Sequence, residues 1–413
     1  MDVCIIGGGA AGLMAAATVL EQNLGASVTL VERNDGLGKK VIISGGGRCN
    51  VTTGMQDVNV VLTRYPRGAR FLSFAMHRFP PAAVVAWFES RGVPLKTQTD
   101  LRVFPQSDNG HDVVNVFNRL FQASHVTVLL KHHVVRVAQH PEGFALHLKG
   151  EAEPRAARKL VLTTGGQAYR QTGSTGDGYA FARSLGHSIT QLAPSLSSFT
   201  TRETWPAEVA GLSFPWANLT AQRPGRKTFT GSFLFTHRGV SGPAVFALSS
   251  LVAFEPFSAT EPLGLRLNLF PETTTAALRQ EIAAAVTANP KKSWGNVLGA
   301  LVPKSLAEFA CRELNLPPER HAAEVGRKGS TAAATWLTAI PLTVVGRGAG
   351  DEFVTAGGVN LKEVNPSTME SRLCPGLYFA GEILDVDGFT GGFNLQASWA
   401  TGHLAGESAA TNT

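Results

Sequence analysis

The stretch that most limits how this chain folds is Val3-Cys-Ile-Ile-Gly-Gly-Gly-Ala-Ala-Gly12, in which four apolar residues run straight into Gly7-x-Gly9-x-x-Gly12. A short apolar run closed by glycines is a buried strand, and the alanine- and leucine-rich segment from Gly12 to Leu24 is a helix. Ser27 to Val31 supplies a second strand, and Glu32 stands at its end, twenty residues beyond Gly12. In that β-α-β context each glycine has a task. Gly7 permits the tight turn, Gly9 lets a pyrophosphate approach the backbone, and Gly12 allows the helix to pack closely on the strand. Ala10 and Ala11 complete the turn, and the helix N-terminus faces the phosphates. Glu32, with Arg33 beside it, is placed to accept hydrogen bonds from the ribose hydroxyls of an adenosine.

From Val3 to Leu20 there is no charge, a length that invites confusion with a membrane span or a signal peptide. Asp2 precedes the run, no Lys or Arg does, and GGGAAG lies near its middle, so strand, turn and helix is the better assignment. No other segment is long and apolar enough to cross a membrane. A chain of 413 residues exceeds one ordinary core. Buried strands followed by glycines recur at 159–166 ("KLVLTTGG") and 376–382 ("GLYFAGE"), the latter leading to a terminal helix. "PPAAVVAWFESRG" at 80–92 predicts a helix closed by Gly92, and "VTVLLKHHVVRVAQ" with "GFALHLKG" predicts antiparallel strands. Between about 190 and 270 the texture is short β segments, and 273–335 turns helical, with Leu278, Ile282 and Val286 on one face. The expected architecture is therefore α/β. It comprises a dinucleotide-binding domain in two parts, 1–190 and 355–413, interrupted by a β-rich domain (191–270 plus 336–354) and a small helical domain (271–335).

The C-terminal strand-turn-helix decides between FAD and NAD. It offers a second edge at which Gly381 and Glu382 meet a ribityl-pyrophosphate region, and a helix start near Asn394, Leu395 and Gln396 that stabilises negative charge on a reduced isoalloxazine. Thr164, Gly165 and Gly166 fit a third contact, with Val134 as an adenine-edge candidate. FAD is favoured on these grounds. Gly346-Arg-Gly-Ala-Gly350 lacks the x-x-G spacing and is assigned to a hairpin turn. A transient NADPH or NADH donor must therefore reach the flavin without a second Rossmann domain.

"SGGGRCN" at 44–50, "LFTHRGVSGPA" at 234–244, "TAGGV" at 355–359 and "GLYFAGEILDVDGFTGGFNLQ" at 376–396 together make the chain resemble a family of bacterial NAD(P)/FAD-dependent oxidoreductases along essentially its whole length. That resemblance implies an FAD domain of the glutathione-reductase type, Rossmann-like, interrupted by a β-rich domain and a small helical one. It also implies an activity from a set including aminoacetone oxidation, reduction of conjugated carbon-carbon double bonds in steroids, and dihydrouridine synthesis in ribosomal RNA.

The second glycine run is the candidate second wall of the cofactor site. Ser44, Gly45, Gly46 and Gly47 leave backbone bare, Arg48 offers positive charge and Asn50 an amide, while Lys39 and Lys40 meet phosphate or ribose or else form a solvated turn. Cys49 is either a small buried hydrophobe or an acid. Hydride transfer to one carbon of a polarised C=C bond leaves the neighbouring carbon in need of a proton, which a thiol can deliver. Glu382, Asp385 and Asp387 are alternatives with a more structural look. His237 and Arg238, at a strand end before a helix capped by Ser241, either bind substrate or close the turn.

Four widely spaced cysteines without a C-x-x-C pair point to a reducing cytosol, and neither a disulfide framework nor a metal site is expected. The net charge of +6 allows an RNA partner. Three functions follow: a reductase acting on a C=C bond, with uridine in ribosomal RNA or a small conjugated enone as substrate; an amine oxidase passing electrons to O₂; and a non-catalytic FAD-containing RNA-binding protein. The sequence gives no oligomeric state.

Overall fold

The computed structural model describes residues 1–22, 25–223, 225–348 and 353–411. The chain divides into two compact units, Met1–Ser195 with Glu352–Thr413, and Leu196–Asp351.

The first unit is built on a five-stranded sheet in which every neighbouring pair is parallel. Its order is Leu377–Phe379, Lys159–Leu162, Val3–Ile6, Val28–Val31, Thr127–Leu129. The three central strands are buried along their whole length, as a sheet covered by helices requires, with Thr29 and Lys159 their polar residues. The charge-free run is accounted for here. Val3–Ile6 is the central strand and Ala10–Gln22 the first helix, buried from Ala10 through Leu20. The helix begins two residues before the Gly12 start expected from sequence, and Leu24 lies outside the described residues. The C-terminal helix, Phe393–Thr411, packs against it backbone to backbone. A Cβ on Gly402 would lie 2.4 Å from the Ala11 carbonyl oxygen, and one on Gly406 2.7 Å from that of Ala15. The ends of the chain are thus joined in one core, which explains why the nucleotide-binding parts are split in sequence. Trp399 extends that core, donating from Nε1 to the Val51 carbonyl at 2.9 Å and packing on Phe88 and Phe117.

One strand assignment changes. Thr127–Leu129 is not part of a hairpin but the edge of the parallel sheet; only Val134–His140 pairs antiparallel with Gly143–Leu148. Apolar residues in both stretches hide the break, which falls at Lys131, with φ +60°.

The second unit holds a closed six-stranded barrel in the order Phe199–Thr201, Gly239–Ser241, Lys227–Thr236, Ser213–Ala221, Leu263–Asn268, Ile340–Arg347. Pro243–Leu251, Thr275–Ala288, Trp294–Leu298, Lys304–Glu313 and Ala322–Leu337 are among its helices, the last broken at Gly326 (φ +64°). Barrel and helices share one hydrophobic core, from Phe199 and Leu267 to Ile282, Leu306 and Leu337, so they form one unit where sequence suggested two domains. Ser241 does not cap the helix Pro243–Leu251. It ends a strand, and Gly242 occupies the N-cap position with φ +100°, a conformation open to glycine and strained for serine. Gly346 and Arg347 lie within the last barrel strand rather than in a hairpin turn, and the remainder of that predicted turn reaches Ala349 and Gly350, outside the described residues.

Candidate functional site

The first glycine turn has the three-part geometry that a dinucleotide requires. Gly7 adopts φ +109°, donates to the Val31 carbonyl at 2.9 Å, and leaves room for no side chain: a Cβ there would lie 2.5 Å from the Thr163 oxygen. Gly12 faces Gly7, and a Cβ on it would come within 1.9 Å of the Gly7 carbonyl oxygen and 2.6 Å of Thr163 Oγ1. Around a Cβ on Gly9 nothing lies within 4 Å. Two glycines are therefore bare for packing and one is bare toward open space, which is the cradle a pyrophosphate fits. The first turn of the helix carries no acidic residue, so its N-terminal amides and dipole keep their attraction for an anion. Ala10 and Ala11 are buried, and Ala11 serves packing, with Gly381 and Gly402 against it.

Glu32 is buried and fixed. Its Oε2 accepts the Gly8 N–H at 2.7 Å and its Oε1 the Asn34 N–H at 2.8 Å. Two amides orient the carboxylate and leave lone pairs for ribose hydroxyls, since an ionised carboxylate accepts about four hydrogen bonds. Arg33, by contrast, is engaged by the protein. It donates to Thr175 Oγ1 (2.7 Å) and to Asp177 Oδ2 (2.8 Å), which His133 also reaches.

A second group gathers residues from four distant segments. Lys40 Nζ lies 2.7 Å from Glu382 Oε2, and Glu382 Oε1 accepts the Thr355 N–H at 2.9 Å. Thr355 Oγ1 accepts the Gln167 N–H at 2.7 Å, and a Cβ on Gly166 would lie 2.4 Å from that oxygen. Gly381, at φ +79°, donates to Thr401 Oγ1 at 2.9 Å. Gly165 is left-handed as well, and Thr164 Oγ1 is buried without a partner among the described residues. Thr355 was not singled out by sequence reasoning. Its signal is the motif at 355–359.

The loop 44–50 carries Gly45, Gly46 and Gly47 at φ +57°, +73° and +86°, and a Cβ on Gly46 or Gly47 would meet nothing within 4 Å. Three successive left-handed residues explain the glycines physically, and two of them stay bare toward open space. Their neighbours are engaged by the protein. Ser44 Oγ donates to the Val41 carbonyl, the Arg48 guanidinium sits 4.0 Å from the centre of the Phe104 ring, and Asn50 Oδ1 accepts the Val103 N–H at 3.2 Å. Cys49 has no exposed surface, belongs to the main hydrophobic core, and burial pushes its thiol up to about 12. A sealed, strongly protonated thiol is a packing group. The geometry supports the buried-hydrophobe alternative, and the acid role is not carried forward.

Other candidates are also structural in their contacts. Lys39 pairs with Asp35 at 2.7 Å on the surface, and Val134 is buried at the start of its strand. Asn394 clamps the preceding loop, accepting the Gly388 N–H at 2.9 Å and donating to its carbonyl at 2.8 Å, while Leu395 is half-buried beside it. Gln396 is fully buried, accepting from Thr52 Oγ1 at 2.6 Å and donating to the Phe79 carbonyl at 2.9 Å. Asp387 is equally buried, held by a bidentate pair with Arg67 and by Ser195 Oγ at 2.7 Å. Burial raises the Asp385 carboxyl above the usual range. His237 and Arg238 are both exposed at the two-residue turn of a barrel hairpin in the second unit.

Comparison with known proteins identifies the family. Residues 1–408 match a family model described as "HI0933-like protein Rossmann domain". A 3-dehydro-bile acid delta(4,6)-reductase of Clostridium scindens is 31% identical over 98% of both chains. A ribosomal RNA dihydrouridine synthase of Escherichia coli is likewise 31% identical, over 97% of this chain and 96% of the other. Among solved structures, a 3-ketosteroid delta1-dehydrogenase from Sterolibacterium denitrificans shares the fold with a TM-score of 0.54 and 13% identity, covering 100% of this chain and 99% of its own.

Proposed function

The chain belongs to the HI0933-like family of FAD-dependent oxidoreductases, and from that premise we propose that it is a reductase adding two hydrogens across a C=C bond conjugated to a carbonyl, with uridine in ribosomal RNA as its substrate. The carrying observation is that two relatives of equal identity, each matched along nearly its whole length, are named for different molecules and one kind of reaction. Dihydrouridine differs from uridine by saturation of a C=C bond conjugated to a ring carbonyl. A delta(4,6)-reductase of a 3-dehydro acid likewise saturates alkenes conjugated to a ketone. The reaction type is shared and the acceptor differs, so the acceptor is the part fixed by each chain's own surface.

FAD, when bound, supplies the hydride and takes its electrons from NADPH or NADH as transient donor. The chain's residues hold it. Gly9 admits the pyrophosphate, the N–H groups at Ala10 to Gly12 face it with the helix dipole, and Glu32 receives the ribose hydroxyls. Lys40, paired with Glu382, and the bare backbone of Gly46 and Gly47 line the same unit.

RNA is favoured over a small enone by charge. Residues 196–351 contain fifteen basic and eleven acidic side chains, a surplus of four within the total of +6. We place the protein in the cytosol, where ribosomal RNA is made and where four free buried cysteines remain reduced. No helix among the described residues is long and apolar enough to cross a membrane.

The test is reduction of the FAD-loaded protein by NADPH without oxygen, followed by one acceptor at a time: ribosomal RNA lacking dihydrouridine, a 3-oxo-4,6-diene steroid, or aminoacetone in air. Flavin reoxidation by the RNA is the expected result. Reoxidation by the steroid alone would transfer the proposal to the small-enone substrate, and peroxide from the amine alone would refute a reductase.

A further inference from the structure

We infer that one end of the helical part of the second unit is a docking surface for an RNA phosphate backbone, formed by Lys291, Lys292, Arg320, Arg327 and Lys328. This inference rests on the RNA reading above and names where the polymer is held. The five cations come from three places in sequence, and backbone hydrogen bonds tie two of those places, 290–294 and 320–323, side by side. The Trp294 N–H donates to the Arg320 carbonyl at 2.8 Å, the Ala322 N–H to that of Lys292 at 2.9 Å and the Ala323 N–H to that of Pro290 at 3.2 Å. Ser293 and His321 form a β-bridge, and His321 Nδ1 reaches the Lys291 carbonyl at 2.8 Å. Two loops are thus tied side by side, each presenting basic side chains. Arg327 and Lys328 follow a few residues on in sequence, immediately after the break at Gly326.

All five side chains are exposed. The acidic residues interspersed with them are Glu319 and Glu324, and only Glu324 pairs within the group, 3.7 Å from Arg320. The five exposed cations thus exceed these two carboxylates by three charges. Arg327 and Lys328 also open the helical segment that runs to Leu337, where cations oppose the helix dipole. An anion lying there would relieve both conflicts. None of the exposed large hydrophobic residues lies between Thr275 and Leu337. A membrane-surface helix needs apolar side chains to insert, and a protein interface usually centres on aromatic anchors. A polar, basic, apolar-free face suits the phosphates of a polynucleotide, which position without reading sequence.

The experiment uses the full-length, FAD-loaded protein and a ribosomal RNA fragment containing uridine. Dissociation constants are measured against salt concentration for the wild type and for a Lys291→Gln/Lys292→Gln/Arg327→Gln/Lys328→Gln variant. Flavin absorbance and melting temperature confirm that the variant is folded, and the double variant Lys291→Gln/Lys292→Gln serves if it is not. The expected result is at least about a tenfold weaker affinity and a log-log salt slope shallower by about 3 units for four lost phosphate contacts. KM for the RNA rises by a similar factor with kcat unchanged. Unchanged affinity and slope would overturn the docking surface. So would an equal loss from Arg226→Gln/Lys227→Gln at the barrel hairpin, because net charge rather than this face would then be responsible. Binding to anionic vesicles in place of RNA would overturn it as well. If the wild type binds RNA through this face but never reduces uridine, the docking surface stands and the substrate reading falls; if it reduces uridine and the variant matches it, the reverse holds.

Discussion

Gly9→Ala and Gly12→Ala change neighbouring positions of one turn and are expected to fail in opposite ways. A Cβ at Gly9 meets no heavy atom within 4 Å, whereas one at Gly12 would lie 1.9 Å from a backbone carbonyl. Gly9 is also not among the left-handed glycines, so alanine there carries no backbone strain. The FAD-free Gly9→Ala protein should keep its stability or gain about 0.4–1 kcal/mol from a less flexible unfolded chain. What it loses is the cofactor. Ligand at a hundred times its dissociation constant stabilises a protein by about 2.7 kcal/mol, and a hundredfold loss of affinity cuts that to roughly 0.4 kcal/mol. For a unit of this size the wild type should then melt about 5–10 °C higher with FAD than without, and Gly9→Ala about 1–2 °C higher. Gly12→Ala meets a carbonyl that no rotamer change can move, so strand and helix must part. The cost is about 3 kcal/mol or more, and the FAD-free protein itself melts roughly 6–12 °C lower. Thermal melts with and without FAD, with flavin absorbance after gel filtration, separate the two. If Gly9→Ala keeps the full FAD-induced shift, or destabilises the FAD-free protein as much as Gly12→Ala does, the assignment of the open space to a pyrophosphate is wrong.

Cys49 should resist iodoacetamide in the folded protein at about pH 8 and react on unfolding, since an ordinary thiol titrates near 8.5 and burial pushes this one to about 12; labelling of the native protein would contradict its placement. Cys4 is shifted to about 12 by burial as well. Both raised values mean that the unfolded chain releases these protons first, so their stabilisation is complete below the ordinary thiol value and is lost as pH climbs toward 12, a decline that urea midpoints above about pH 8.5 will register. Cys49→Ala should leave the pH profile of turnover unchanged, and a lost limb would restore the thiol as an acid. Arg67→Ala strands the fully buried Asp387 carboxylate with Ser195 as a partner and should cost about 3–5 kcal/mol in urea unfolding. A change below about 1 kcal/mol would show that the pair is not buried as described. Lys40→Ala, at a pair with 27% and 16% side-chain exposure, should cost only about 1 kcal/mol.

The nucleotide turn was legible because everything it needs is local. Strand, glycines, helix and Glu32 fall within thirty residues, and the closest contact that Gly12 makes, with the Gly7 carbonyl, lies inside that span. The closing element at 376–396 was legible as a second strand, turn and helix for the same reason. The contacts of Lys40, Glu382, Thr355 and Gly166 were not, because they join segments separated by as many as 342 residues, and chain packing alone brings them together. Arg67 and Asp387 are 320 residues apart, and neither has a local signal. The side-chain contacts of Asn394 and Gln396 were only partly legible: Asn394 holds the loop before its own helix, a local task for a short side chain, whereas Gln396 bonds Thr52 and Phe79, more than 300 residues away. Cys49 was ambiguous in sequence since a thiol beside glycines is equally suited to chemistry and to packing, and only burial separates the two.

The central claim is hydrogen transfer from the reduced cofactor to uridine in RNA, and a single-turnover balance tests it most directly. FAD-loaded protein is reduced with one equivalent of NADPH without oxygen and mixed with excess ribosomal RNA lacking dihydrouridine. Flavin reoxidation is followed by absorbance, and the RNA is digested and weighed by mass spectrometry. One dihydrouridine for each flavin reoxidised is the predicted outcome; reoxidation without dihydrouridine, or reduced flavin that persists until air is admitted, would contradict it.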